Sequence, residues 1–312
     1  MAKLVGHVAT GLGFFLIGIW HLFNHIKLHA LHPNGYTSFL WFPTPKIRHL
    51  ELFLIMIFTL IFLLREIFSG HHLLNSDGSI PSNHLHYLEH SSISLSLFIY
   101  SFFSLIIDKI ITPSLSSQNG ITNFLASIAF GQELLLFHLH STDHNGVEGQ
   151  YHWLLQIVIF VSLATTLLAI PFPNNFLNNF VRSYSIMFQG IWLMVIGVML
   201  WTPKFIPKGC YIKLEEGYQV VRCHDHKSLE RAKALVNIEF SWYLIGSTAF
   251  VVSFYLFIIK IFTKKVEYQL LKNNYEDQEE NLEDVETQMR SNVRNDGELK
   301  KFVEMGKIIC KK

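Results

Sequence analysis

The sequence predicts an all-α, polytopic membrane protein: a seven-transmembrane helix bundle over residues 1–263, followed by a polar, charged cytosolic tail over 264–312. Three observations carry this reading. Half of the residues are hydrophobic and only 16% are charged, against about 25% charged in an ordinary soluble domain. The charge is segregated: of 49 Lys, Arg, Asp and Glu residues, 21 follow Phe262. Apolar runs of the roughly 20 residues needed to cross a bilayer recur seven times, at 6–24, 50–69, 89–112, 121–140, 152–170, 182–202 and 236–262.

Each run reads as a helix, because a helix satisfies its own backbone polar groups in lipid. The runs are apolar throughout rather than alternating, which excludes strands. The first follows Lys3 as a signal peptide would, but it lacks a small-x-small cleavage site and ends on Trp20, His21 and Leu22, so it reads as a retained span. The second is LELFLIMIFTLIFLLREIFS. The third opens on His90, Ser91 and Ser92, and the fourth carries Glu133, His138 and His140. The fifth opens on His152, the sixth begins at Arg182, and the seventh starts near Glu239. Residues 203–235 read as a loop whose Cys210 and Cys223 either pair or stay as separate thiols. The tail is too polar to build a core, although Leu282, Val285, Met289 and Val293 fall at the spacing of a short amphipathic helix.

Seven spans place the termini on opposite faces. Lys and Arg are balanced between the two faces, so the positive-inside rule does not choose. The charged tail and the cysteine pair favour an outside or lumenal N-terminus and a cytosolic C-terminus. A net charge of +1 without a long basic run excludes a nucleic-acid partner; the expected partners are the bilayer itself and proteins recruited through the tail. Three cysteines without a CxxC pair exclude a disulfide scaffold and a cysteine zinc finger.

Topology sorts the 17 histidines. His7, His71, His72, His84, His86, His90, His138, His140, His144, His152, His224 and His226 share the N-terminal face, and His21, His25, His29, His32 and His49 share the other. Glu133 precedes His140 by two helical turns, which puts them on one face about 10 Å apart. A carboxylate at that depth should face the bundle interior. The expected site is therefore a polar pocket at the N-terminal-side mouth, formed by Glu133, His90, His138, His140 and His152. His90, His140, His152 and Glu133 are ligand types that suit zinc, the possible cofactor. The plainer reading is that histidines are ordinary at a membrane boundary, with Asp143, His144 and Glu148 in a tight loop. In HLFNHIKLHALH, the stripe of His21, His25, His29 and His32 has no carboxylate within it, and packing against the loop before Arg48 explains it better than a metal does.

RSYSIMFQGIWLMVIGVMLW at 182–201, AFGQELLLFHLH at 129–140 and the HWLLQ that contains His152 appear together in this order, with weaker matches in GHVATGLGFFLIGIW and around Glu51 in HLELF. In these stretches the chain resembles the transmembrane protein 45 family, a family of unknown function, over most of residues 5–262. The resemblance implies seven spans and no established reaction. It carries over Glu133, His140, His152, Gln189, Gly190 and Trp192 as motif positions, which adds Gln189 and Trp192 to the expected pocket. HSTDHNGVEGQ departs from the animal members and is closer to the plant branch. Each added position has a structural explanation as well: Gln189 can bridge helices, Gly190 can permit their close approach, and Trp192 can pack.

These observations leave several functions open. One is a membrane protein whose polar pocket binds a metal or small ligand, or assists transport. A second is a zinc-dependent membrane hydrolase, with His138, His140, His152 and Glu133 holding zinc and activating water and Ser92 or Asp143 assisting. A third, haem-based electron transfer, is disfavoured because most histidines lie at helix ends. The last is a non-catalytic scaffold or trafficking protein. The sequence contains no nucleophile elbow, HExxH or glycine-rich phosphate loop, which favours the first and last over an enzyme.

Overall fold

A computed structural model gives the protein's architecture and describes residues 2–39, 41–44, 46–69, 79–80, 85–110, 116–139, 146–215 and 218–263. The chain divides into two compact units, Met1–Ile258 and Ile259–Lys312; the bundle is the first, and of the second only residues 259–263 are described. The expected solvated tail and its amphipathic helix lie outside the described residues.

Long helices dominate: α1 (Ala2–Leu31), α2 (Leu50–Ser69), α3 (Leu85–Ile110), α4 (Ser116–His138), α5 (Val147–Leu168), α6 (Phe176–Trp201) and α7 (His226–Thr263). Six of them, all but α2, are long and apolar enough to cross a membrane. The 20-residue α2 has the length but carries Glu51, Arg65 and Glu66, and both of its carboxylates are buried inside the protein. The apolar runs mark these helices well; α3, α4, α5 and α6 begin a few residues before theirs, at Leu85, Ser116, Val147 and Phe176, and the largest departures are in α1 and α7. Helix α1 continues past its apolar run to Leu31, and α7 begins ten residues before its own, at His226. Both extensions are amphipathic rather than apolar, so a search for lipid-spanning runs stops short of them.

Helices consecutive in sequence pack side by side from α2 through α6, and α1 closes on α6. The α1–α6 contact runs antiparallel along a glycine seam. A Cβ placed on Gly18 would sit 2.3 Å from the Met187 nitrogen, and one on Gly190 would sit 2.3 Å from the Phe15 nitrogen. Glycine spacing of seven on each helix, Gly11 with Gly18 and Gly190 with Gly197, keeps these close approaches on one face. Helix α7 lies against α5 and α6: Tyr151 donates to Glu239 at 2.7 Å, and the Phe240 ring stands edge-on to Trp192 at 4.8 Å.

The region expected to be a plain loop instead holds a hairpin. Strands β1 (Cys210–Glu215) and β2 (Tyr218–Cys223) pair antiparallel, with Cys210 opposite Cys223 and a disulfide between them. The hairpin sits beside the start of α1, where Lys3 donates to the Gln219 carbonyl at 3.2 Å. On the hairpin, Arg222 and Lys213 bond the Glu215 carboxylate and lower its pKa to about 2. Asp225 caps α7 by accepting from the Ser228 backbone N–H at 2.6 Å, which holds its carboxyl below the usual range.

Candidate functional site

Helices α1–α6 surround a cavity of about 640 Å³. Its walls are mainly apolar, with Leu97 from α3, Ala126 and Phe130 from α4 and Leu193 from α6 among them. Polar groups enter at three levels along the bundle.

The first level is the N-terminal-side mouth, where Lys3, His7, Arg65, Glu66, His90, Glu148 and His152 line the cavity. His90 from α3 faces Glu66 from α2 at 3.9 Å. His152 from α5 lies against Phe137 and has its ring centroid 6.1 Å from that of His7 on α1.

The second level is deeper. Glu133 on α4 is 2% exposed and receives a hydrogen bond from the fully buried Gln189 amide on α6 at 2.7 Å. The second carboxylate oxygen of Glu133 has no hydrogen-bond partner among the described residues.

The third level lies toward the opposite face. There His21 Nε2 on α1 meets Glu51 Oε1 on α2 at 2.5 Å, and the other Glu51 oxygen accepts from the Phe42 backbone N–H at 3.2 Å. Arg182 from α6, 7% exposed, donates to Asn123 on α4 at 3.0 Å. Behind this level, His25 and the Tyr36 hydroxyl are 2.7 Å apart. Tyr36 belongs to the α1–α2 connection, and burial pushes its phenol up to about 12.

The expected pocket residues therefore separate. Glu133, His90 and His152 line the cavity, and Gln189 reaches it by bonding Glu133. His138 does not line it: the ring is exposed, with Nδ1 3.1 Å from the Gln156 side chain. Trp192 does not line it either. This ring is fully buried in the α5–α6–α7 packing, and its N–H donates to the Tyr151 carbonyl at 3.1 Å. The packing explanation holds for Trp192 because an indole buried among aromatic neighbours needs only one acceptor. His140, Asp143 and His144 lie outside the described residues. Ser92 turns its hydroxyl onto its own helix, donating to the Leu88 carbonyl at 2.8 Å. Among the described residues, no three His, Cys, Asp or Glu side chains converge as metal ligands would.

Sequence reasoning missed the third level as part of the site. Its partners lie 30 residues apart for His21 and Glu51 and 59 apart for Arg182 and Asn123. The stripe of His21, His25 and His29 does pack against the α1–α2 connection, on the rings of Tyr36 and Phe42. The carboxylate that the stripe lacks comes from α2.

A family model described as a family of unknown function (DUF716) matches residues 119–256. The match takes in α5, α6, the hairpin and most of α4 and α7, and with them Glu133, His152, Arg182, Gln189 and Trp192. It leaves α1, α2 and α3, three of the six helices that line the cavity, outside.

Proposed function

We propose that this chain is a seven-span membrane protein that binds a small amphipathic molecule inside the bilayer, in the cavity enclosed by α1–α6, as a binding or transport-assisting protein rather than a hydrolase. The observation that carries the reading is the cavity itself. Its volume of about 640 Å³ falls in the range of small-molecule sites, which combine apolar walls with a few placed polar groups. The Glu133–Gln189 pair supplies such a group at mid-depth.

Helix α2 serves as the seventh span. Twenty residues rise about 30 Å, and its buried carboxylates are paired within the protein, as charges in a bundle must be. The disulfide supports an orientation with the N-terminus and hairpin in an oxidising lumen or outside the cell, since such bonds persist there. The C-terminal tail is then cytosolic, where it is free to recruit protein partners.

The test is to purify the full-length protein in detergent, wash it free of loosely held lipid, and examine it by native mass spectrometry with organic extraction. A bound small molecule near one per chain is expected. A protein that stays folded and carries nothing, and whose unfolding temperature no lipid extract raises, contradicts the reading.

A further inference from the structure

We propose that the far end of the cavity binds the anionic head of a single-chain lipid, with Arg182 as counter-ion and the chain lying along the apolar walls toward an opening between α1 and α2. This deepens the reading of the cavity as a ligand site and rests on it.

The first observation is an incompletely neutralised cation. Arg182 is nine-tenths buried and lines the cavity, yet among the described residues its one side-chain hydrogen bond goes to the neutral Asn123. Among the described residues it makes no ion pair. The neighbouring carboxylate, Glu51, is already engaged by His21 and by the Phe42 backbone N–H. A guanidinium carries five donors in a fork that matches a carboxylate or phosphate, and among the described residues one of them is used. Two further donors sit at the same end: Tyr100 lines the cavity, and the Thr122 hydroxyl is buried without a partner among the described residues. An unpaired cation within a membrane bundle is costly, which is why such residues mark ligand or ion sites. An anion at this end answers all three groups.

The second observation is the route. Helix α1 packs on α6 and α2 on α3, which leaves the α1–α2 side of the cavity weakly closed. Leu12 and Leu16 on α1 and Leu54 and Phe58 on α2 line the cavity while remaining 47%, 54%, 57% and 37% exposed. What spans this side is a row of α2 side chains resting on α1 glycines. Phe58 lies 3.7 Å from the position a Cβ would take on Gly13, and Phe62 lies 3.6 Å from that on Gly6. An opening of this kind between two spanning helices faces hydrocarbon, so it admits a molecule that partitions into the bilayer. A freely soluble anion would not arrive that way. The requirement for a chain comes from the walls, and the requirement for a negative head comes from Arg182.

The experiment measures saturable binding to the delipidated full-length protein of hexadecanoate, lysophosphatidate, hexadecanol and acetate. Hexadecanoate or lysophosphatidate is expected to bind at one per chain, and whichever binds more tightly identifies the head as carboxylate or phosphate. Hexadecanol should bind at least about tenfold more weakly, the cost of losing a charge-assisted hydrogen bond, and acetate should not compete. Arg182→Gln should reduce binding of the anionic lipid by about tenfold or more and leave hexadecanol unchanged. Should that variant fail to fold, the head-group comparison on the unaltered protein still decides. If hexadecanol binds as tightly as hexadecanoate, the cavity reading stands and the role of Arg182 is wrong. Competition by acetate overturns the lipid and leaves a free-anion site. If no probe binds to folded protein, the cavity reading falls with the proposal.

Discussion

Gln189 on α6 donates to Glu133 on α4 at 2.7 Å, tying two helices together through a carboxylate that is 2% exposed. The second Glu133 oxygen and the Gln189 carbonyl oxygen have no partners among the described residues. The two side chains should therefore respond unequally to replacement. Gln189→Leu leaves the buried Glu133 carboxyl without its donor and is expected to cost about 1–3 kcal/mol, the penalty of an unsatisfied buried polar group. Glu133→Gln keeps the shape and supplies an amide that can reach the Gln189 oxygen, so it should be neutral or stabilising. Thermal unfolding of the two variants in detergent reads the difference, and equal losses would contradict the pairing.

The α1–α6 seam should tolerate no side chain. Gly18→Ala places a Cβ 2.3 Å from backbone of α6, which cannot yield as a flexible side chain does. The expected cost is about 1–3 kcal/mol or more, typical of overpacking, seen as a lower unfolding temperature and loss of the monodisperse chromatographic peak. Gly246→Ala on α7 is the control. Nothing lies within 4 Å of its Cβ position, and removing glycine from a helix interior should stabilise by about 0.5–1 kcal/mol.

The hairpin predicts a thiol count. The chain has three cysteines, two of which are joined. Alkylation of the unfolded protein without reductant should modify Cys310 alone, and after reduction all three; intact-mass measurement separates these results. Three modifications without reductant would remove both the disulfide and the support it gives to a lumenal hairpin.

Glu215 gives the hairpin an acid limit. Its folded pKa is about 2 because of Arg222 and Lys213, below an unfolded glutamate value of about 4.3. The unfolded state therefore binds more protons between these values, and stability rises with pH across the window. The contribution of Glu215 is present above about pH 4.3 and is lost as pH falls toward 2. Hydrogen-exchange protection of the β1 and β2 amides, corrected for intrinsic rates, should decline over that interval. In Arg222→Gln the decline should be smaller and begin from a lower plateau.

Much of the architecture was legible because lipid imposes a coarse rule: an apolar run of sufficient length must be a helix. The second run, 50–69, coincides with helix α2 at Leu50–Ser69. The hairpin escaped notice because CYIKLE and YQVVRC are short alternating segments that a lipid-scale search overlooks. The site was legible in part. Glu133 announced itself as a carboxylate inside an apolar run, so its inward direction follows from solvation cost. Trp192 stood out equally in sequence, yet nothing local distinguishes a packed indole from a pocket wall. His138 ends α4 and turns outward, since one residue's rotation about a helix end decides which way a side chain faces. The His21–Glu51 and Arg182–Asn123 contacts join separate helices, and no single-helix pattern reports which spans become neighbours.

Filling the cavity that helices α1–α6 surround is the most direct test of ligand binding there. Ala126 lines the cavity on α4, and Ala126→Trp places an indole in space that the ligand would otherwise take. The measurement is the amount of small molecule bound per chain in wild type and variant, by native mass spectrometry from the same membranes. The expected result is occupancy near one in the wild type and near zero in Ala126→Trp, with the lipid-free proteins unfolding at similar temperatures. Equal occupancy in the two proteins would mean that whatever is bound lies elsewhere, and the cavity would then be only a gap in the packing.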